Sequence, residues 1–195
     1  MRIAIDIDST LHQYWDVLSD KARERFGIEL PYEEQYRWGT TRLKPEQLAC
    51  VIEATHGEEA ILAARPYPGA VEAVNRWAAG GHFVHITSYR ADHCQAATEQ
   101  WLHAIGLRFD ELYCSDDKIS RCQEIGIDLL IDDSPVNLSA AIERGITVAT
   151  ITHPWNEEVV EEENVIAAAD WATLAQRLEA ALAPLRRGSR AGQAA

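Results

Sequence analysis

The stretch Arg2-Ile3-Ala4-Ile5-Asp6-Ile7-Asp8-Ser9-Thr10 decides the fold. Its apolar residues run on without the alternation of a half-solvated strand, and the run ends in two acids. That pattern reads as a strand buried on both faces whose C-terminal end is polar. Comparable runs recur at 82–87, 111–114, 127–131 and 146–151. Helical patterns fall between and after them, at 70–79, 92–105, 135–144 and 171–182, the third closed by Gly145. Strands alternating with helices imply an α/β fold with a parallel sheet covered on both sides.

One interval breaks the rhythm. Between His12 and Pro66, Trp15, Leu18, Ala22 and Phe26 recur at helical spacing and stop at Gly27, and a second helix starts at Pro45 with Leu48, Val51 and Ile52 as its stripe. No strand pattern lies there. The expected organisation is therefore a core of 1–11 plus 67–184, a helical insertion at 12–66, and a disordered small, polar and basic tail at 185–195.

Composition narrows the classes. The chain has 195 residues, 47% of them hydrophobic, enough for one α/β domain with an insertion. A net charge of −13 repels nucleic-acid backbones, so no nucleic-acid polymer is expected as a partner. A small phosphorylated metabolite remains compatible if a metal ion offsets the field locally. The four cysteines show no CxxC pair, which points to reduced thiols. The N-terminus runs straight into acids and no apolar run is long enough to span a bilayer, so the expectation is a cytoplasmic protein without a membrane partner.

Four strand ends carry chemistry. Asp6 and Asp8 are two apart, so their side chains leave the strand on one side, where open α/β sheets bind ligands. Two acids together call for a cation or a shared proton; they could equally cap the following loop. In Leu129-Leu130-Ile131-Asp132-Asp133-Ser134-Pro135 an apolar strand again ends in acids, of which one can face a metal and the other support it. Asp-Ser-Pro is also good turn and cap chemistry. Thr87 and Ser88 end a third strand, as phosphate donors or as helix caps. Lys118 follows a fourth, where it can offset phosphate charge or stand on the surface.

The order of these segments resembles the four motifs of the haloacid dehalogenase superfamily of phosphatases. Asp6 and Asp8 match its paired-acid motif, Thr87 the hydroxyl motif, Lys118 the basic motif, and Asp132-Asp133 the acidic motif. The resemblance implies a Rossmann-like sheet of order 3-2-1-4-5 and a helical cap. It implies Asp6 as nucleophile and Asp8 as general acid and base, with Thr87, the Ser88 backbone N–H and Lys118 holding phosphoryl oxygens. It also implies Mg²⁺ held by an Asp6 oxygen, the Asp8 carbonyl and Asp133, with Asp132 in support and Asn137 one helical turn on.

Within the insertion, Tyr14-Trp15, Pro31-Tyr32-Glu33-Glu34, Tyr36-Arg37-Trp38-Gly39 and the return Pro66-Tyr67-Pro68-Gly69 resemble the 5'(3')-deoxyribonucleotidase branch. In that branch cap aromatics surround the base of a nucleoside monophosphate, and Tyr14 and Trp38 are the matching positions, unless they only pack the cap. Ser9-Thr10 stands where the branch commonly has Gly-Val, and Arg90 matches no family residue. The leading expectation is a nucleoside or deoxynucleoside monophosphate phosphatase. The alternatives are a phosphatase of a sugar phosphate or similar metabolite, and a non-enzymatic binding or regulatory protein of the same fold. Aromatic residues facing the crevice favour the nucleotide; a polar pocket favours the sugar.

Overall fold

The structure is a computed structural model that describes residues 1–37, 39, 42–115, 117–162 and 164–188, with side chains to residue 179. Its centre is a six-stranded parallel sheet of order β3-β2-β1-β4-β5-β6. The strands are β1 (Arg2–Asp6), β2 (Phe83–Ser88), β3 (Glu111–Cys114), β4 (Leu129–Ile131), β5 (Thr147–Ile151) and β6 (Val165–Ala168). Five of them fall on the apolar runs of the sequence, in the expected order. The sixth adds an edge strand that the sequence hides, because Val165-Ile166-Ala167-Ala168 is four residues long and half alanine.

Period-two alternation feeds two cores. Ile3, Ile5, Leu129 and Ile131 point into one, with Trp77, Trp101, Leu102, Trp171 and Leu174. These partners come from helices α4 (Ala70–Ala79), α5 (Gln95–Ala104) and α9 (Trp171–Gly188). Ala4, Leu130 and Val148 point into the other, against Ile119 and Cys122 of α6 (Lys118–Glu124), Leu138 and Ala141 of α7 (Pro135–Glu143) and Val159 of α8 (Glu157–Val160). α9 continues past Pro184 to Gly188, where the sequence suggested that order ends; 189–195 lie outside the described residues. Among the described residues no helix is long and apolar enough to cross a membrane. All four cysteines are free thiols.

The insertion carries α1 (Tyr14–Phe26), α2 (Pro45–Thr55) and α3 (Glu58–Leu62). Gly27 ends α1 in the left-handed region at φ 64°, its N–H on the Arg23 carbonyl, as the glycine at that position requires. Trp15, Leu18, Ala22, Leu30, Leu43 and Val51 form a small core of their own, joined by Trp155 from beyond β5. Phe26, counted in the same stripe, ends 37% exposed. The return limb differs: Ile61 of α3 and Ala64 pack in the main core. At the neck, Gln13 N–H donates to the Arg65 carbonyl and Tyr67 N–H to the Leu11 carbonyl, so the outgoing and returning chains are stitched together.

This topology positions the site. β1 lies between β2 and β4, so the chain leaves it towards one edge and comes back on the other side, and the strand ends diverge there. In register, Asp6 stands beside Thr87, and Ile5 beside Ile131 with Asp132 next in line.

Trp171 ties α9 to this edge. It is 1% exposed, lies 6.1 Å from the Trp77 ring, and donates its Nε1–H to the Thr10 carbonyl at 2.8 Å. Trp171→Ala should lower the unfolding free energy by about 3–5 kcal/mol through cavity formation. In urea the midpoint should fall with little change in slope; a midpoint within error of the parent would contradict this packing.

Candidate active site

Asp6, Asp132 and Asp133 each bring a carboxylate oxygen within 4.8 Å of the others, and all three are buried. Lys118, the first residue of α6 and 1% exposed, donates to Asp6 Oδ1 at 2.5 Å and to Asp132 Oδ2 at 2.9 Å. Three carboxylates thus face one ammonium. With all three ionised the excess is two negative charges, which in an oxygen-only donor set fits one divalent cation of the hard type.

The two acids of the β4 end are not equivalent. Asp132 is saturated: Oδ1 accepts from Ser134 N–H at 2.8 Å and Asn137 Nδ2 at 3.1 Å, and Oδ2 accepts from Lys118 and again from Asn137. Asp133 Oδ2 accepts from the indole Nε1 of Trp155 at 3.0 Å, and Oδ1 accepts nothing from the described residues. Asn137 is oriented in turn by Tyr89, whose hydroxyl donates to Asn137 Oδ1 at 3.0 Å and whose ring lies 4.6 Å from the Lys118 ammonium.

Electrostatics follow the charge excess. Burial, only partly offset by Lys118, and the neighbouring Asp132 and Asp8 carboxylates push the Asp6 carboxyl up to about 7. Burial and the Asp6 and Asp132 charges likewise hold Asp133 well above the usual carboxylate range. For Lys118 burial would weaken the charge, but Asp132 and Asp6 outweigh it and keep the ammonium firmly protonated.

Asp8 lives in a different environment. Arg90 grips it through Nε to Oδ2 at 3.0 Å and Nη2 to Oδ1 at 2.7 Å, and His12 Nδ1 lies 3.1 Å from Oδ1. Burial favours the neutral acid here too, but Arg90 and His12 outweigh it and hold the carboxyl well below the usual range. Arg90 itself is 1% exposed and anchored on Thr98 Oγ1 at 3.1 Å.

The loop between these acids is tight. The Ile7 carbonyl accepts from the N–H groups of Thr10, Leu11 and His12, and Ser9 sits at φ 63°, the single non-glycine residue in the left-handed region among the described residues. A glycine takes that conformation without strain, which explains why Gly is the residue expected there.

The acids open onto a cavity of about 430 Å³ between the sheet edge and the insertion. Asp6, Asp8, Lys118, Asp132, Asp133 and Asn137 line its floor. Tyr14, Trp15, Leu18, Leu48, Ile52 and Trp155 give it apolar walls, with Gln35, Arg37 and His56 as polar points. The Tyr14 hydroxyl is engaged with Thr55 Oγ1 at 2.8 Å, and burial keeps its proton on.

Of the site residues expected from sequence, Asp6, Asp8, Lys118, Asp132, Asp133 and Tyr14 meet in this cavity. Thr87 stands beside Asp6 in the sheet, is fully buried, and its Oγ1 has no hydrogen-bond partner among the described residues. The Ser88 hydroxyl accepts from Arg90 N–H at 3.2 Å and braces the turn. Trp38 lies outside the described residues. Sequence reasoning missed the roles of Arg90, Tyr89, His12 and Trp155. The first two follow the β2 end directly, and Trp155 follows β5, so a scan of every strand end for aromatic and cationic residues would have found them.

Residues 1–182 match the family described as 5' nucleotidase, deoxy (pyrimidine), cytosolic type C. No curated protein matches the sequence. Among solved structures, the chain is similar to a haloacid dehalogenase-like family hydrolase from Streptococcus pneumoniae, with 16% identity over 90% of this chain and 97% of that one, TM-score 0.62. It is similar to a hydrolase of the same family from Deinococcus radiodurans with bound phosphate and sodium, with 16% identity, 94% and 95% coverage, and TM-score 0.65. It is also similar to CbbY from Rhodobacter sphaeroides in complex with xylulose-(1,5)bisphosphate, with 16% identity, 88% and 94% coverage, and TM-score 0.58. At these identities the structural likeness is one of fold.

The raised Asp6 carboxyl has a measurable consequence for the metal-free protein. Folded Asp6 keeps its proton to about pH 7, whereas the unfolded chain releases it near the ordinary value of about 4. Between those values the folded state binds more protons, so this group lowers stability as pH rises through the window. Asp6→Asn should therefore be more stable than the parent in chelator, by a margin that grows from about pH 4 to about pH 7 and is flat above. Urea titrations at a series of pH values read the margin; a constant or shrinking difference would contradict the assignment.

Proposed function

The chain belongs to the 5' nucleotidase, deoxy (pyrimidine), cytosolic type C family and is a phosphatase of the haloacid dehalogenase type, and on that premise we propose that it hydrolyses nucleoside or deoxynucleoside monophosphates with Mg²⁺ through an aspartyl-phosphate on Asp6. The observation that carries this reading is the joining of two surfaces in one cavity. A buried carboxylate cluster with its lysine lies at the floor, and Tyr14, Trp15 and Trp155 stand among apolar walls above it. The floor suits a phosphoryl group and the walls suit a flat base. A sugar phosphate, with hydroxyls all round, would leave such walls poorly matched.

Mg²⁺ would be held by Asp6, the Asp8 carbonyl and Asp133, with Asp132 in support, and when bound it neutralises phosphate and carboxylate charge in the transition state. Asp6 Oδ attacks phosphorus in line and the ester oxygen leaves. Lys118 and Thr87 Oγ1, whose hydrogen-bonding capacity is unspent, with the Ser88 N–H, would hold the equatorial oxygens. Asp8 would give a proton to the leaving alkoxide and then take one from the water that hydrolyses the acyl phosphate. Both duties require the carboxyl to carry a proton against the grip of Arg90, so that grip must loosen during turnover. The insertion would act as a cap that excludes water from the acyl phosphate.

Phosphate release with Mg²⁺ across nucleoside monophosphates and sugar phosphates tests the substrate class, and a higher kcat/KM on sugar phosphates would overturn it. Asp6→Asn should abolish turnover, since an amide cannot serve as nucleophile; release by a clean preparation would remove the mechanism.

Asp8→Asn should lower kcat/KM for alkyl phosphomonoesters by about 10²–10⁴-fold, and for 4-nitrophenyl phosphate less, because its leaving group needs no proton and kcat/KM stops at the acyl phosphate. Equal losses on both would place Asp8 outside leaving-group protonation. Tyr14→Ala should reduce kcat/KM for the nucleotide by up to about 100-fold, from stacking of about 1–3 kcal/mol, and hardly touch propyl phosphate. Equal losses on the two substrates would separate Tyr14 from base binding.

A further inference from the structure

The segment His153-Pro154-Trp155-Asn156 follows the C-terminal end of β5, next to the acids but contributing none. Asn156 is fully buried and spends its whole amide. Nδ2 donates to the carbonyls of Asp133 at 3.1 Å and Ile151 at 3.0 Å and to Thr150 Oγ1 at 3.1 Å, while Oδ1 accepts from His153 N–H at 2.8 Å. Two carbonyl partners leave no doubt which end of the amide is nitrogen. The segment is thereby locked to the backbone of Asp133.

Trp155 is then held on every side. The His153 ring lies parallel to it at 4.4 Å and 4°, Trp15 of the insertion stacks at 5.4 Å and 30°, and the Tyr32 ring meets it edge-on at 5.7 Å. His153 is fixed as well. Its Nε2 lies 2.8 Å from the Ser9 carbonyl, so that nitrogen carries the proton, and Nδ1 accepts from the Tyr32 hydroxyl at 2.7 Å. With the indole plane set by three rings, the direction of its N–H is set too, and it points at Asp133 Oδ2.

We infer that Trp155 is a positioning residue for the metal site, its indole N–H holding Asp133 Oδ2 so that Oδ1 is left to reach the ion. A buried indole N–H commonly finds an acceptor, although Trp77 Nε1 has none among the described residues; backbone carbonyls serve the other buried tryptophans with such bonds: Leu30 for Trp15, Ala64 for Trp101 and Thr10 for Trp171. Trp155 alone of these four uses a carboxylate, and that carboxylate has its other oxygen unspent. Because two of the three rings around Trp155 come from the insertion, the same contact joins the cap to the ion site.

The inference rests on Asp133 as a direct metal ligand, and the experiment keeps the two apart. Mg²⁺ binding is measured by titration calorimetry on the full chain for the parent, Trp155→Phe and Asp133→Asn, with circular dichroism to confirm folding. Trp155→Phe keeps a ring in the stack and removes the N–H; its Kd for Mg²⁺ should rise by about 10–100-fold. Its loss of turnover should also be larger at limiting than at saturating Mg²⁺. A Kd equal to that of the parent in folded Trp155→Phe, with Asp133→Asn losing the ion, would overturn this inference alone. Unchanged binding in Asp133→Asn would overturn the metal reading beneath it. Should Trp155→Phe not fold, the Trp155 indole N–H proton resonance of the parent gives the answer. It should move on Mg²⁺ addition, and a fixed resonance would overturn the proposal.

Discussion

The ammonium of Lys118 between Asp6 and Asp132 is the interaction on which the active edge of the sheet depends. Three carboxylates meet there because two strand ends, those of β1 and β4, lie side by side, and without a buried cation their mutual repulsion and lost hydration would oppose the fold. One lysine removes part of that opposition and leaves the rest for an ion. The site is thus under-neutralised by design of its topology: β1 and β4 must be neighbours for the acids to meet, and once they are neighbours the charge excess is unavoidable.

A second charge arrangement lies two residues away and has the opposite character. Asp8 and Arg90 form a closed pair, so the same short loop presents one carboxyl driven towards its neutral form and one driven towards its charged form. Carboxyls pushed apart in this way can take different roles at one pH. The separation depends on the strained Ser9 turn, which His153 braces through the Ser9 carbonyl, and on the Ile7 carbonyl that gathers three successive N–H groups.

Much of this was legible in the amino-acid order. Uninterrupted apolar runs such as Leu129-Leu130-Ile131 announce strands buried on both faces, and acids at their ends announce the site. Gly27 and Pro45 announce helix limits in the insertion. What stayed hidden has physical reasons. β6 is too short and too rich in alanine to show a period, and α3, α6 and α8 are four to seven residues long and held by tertiary packing. Arg90 resembles any surface arginine until Asp8 and Thr98 are brought to it by a separation of 82 residues on one side and 8 on the other. Trp155 resembles core packing, because the orientation of an N–H is written in the three rings around it and nowhere in sequence.

The two cations at the acids, Lys118 and Arg90, are buried and already paired, and Arg37 is the one exposed cation among the described residues that line the cavity. Neither of the paired two projects a field into solvent. A phosphate dianion diffusing toward the molecule therefore meets first the field of the exterior, and a chain of net charge −13 repels it. Dissolved salt shortens the reach of that repulsion to about 10 Å at 0.1 M. The encounter of enzyme and substrate is then one that moderate ionic strength speeds up, the reverse of the behaviour of enzymes that draw phosphates in along a basic rim.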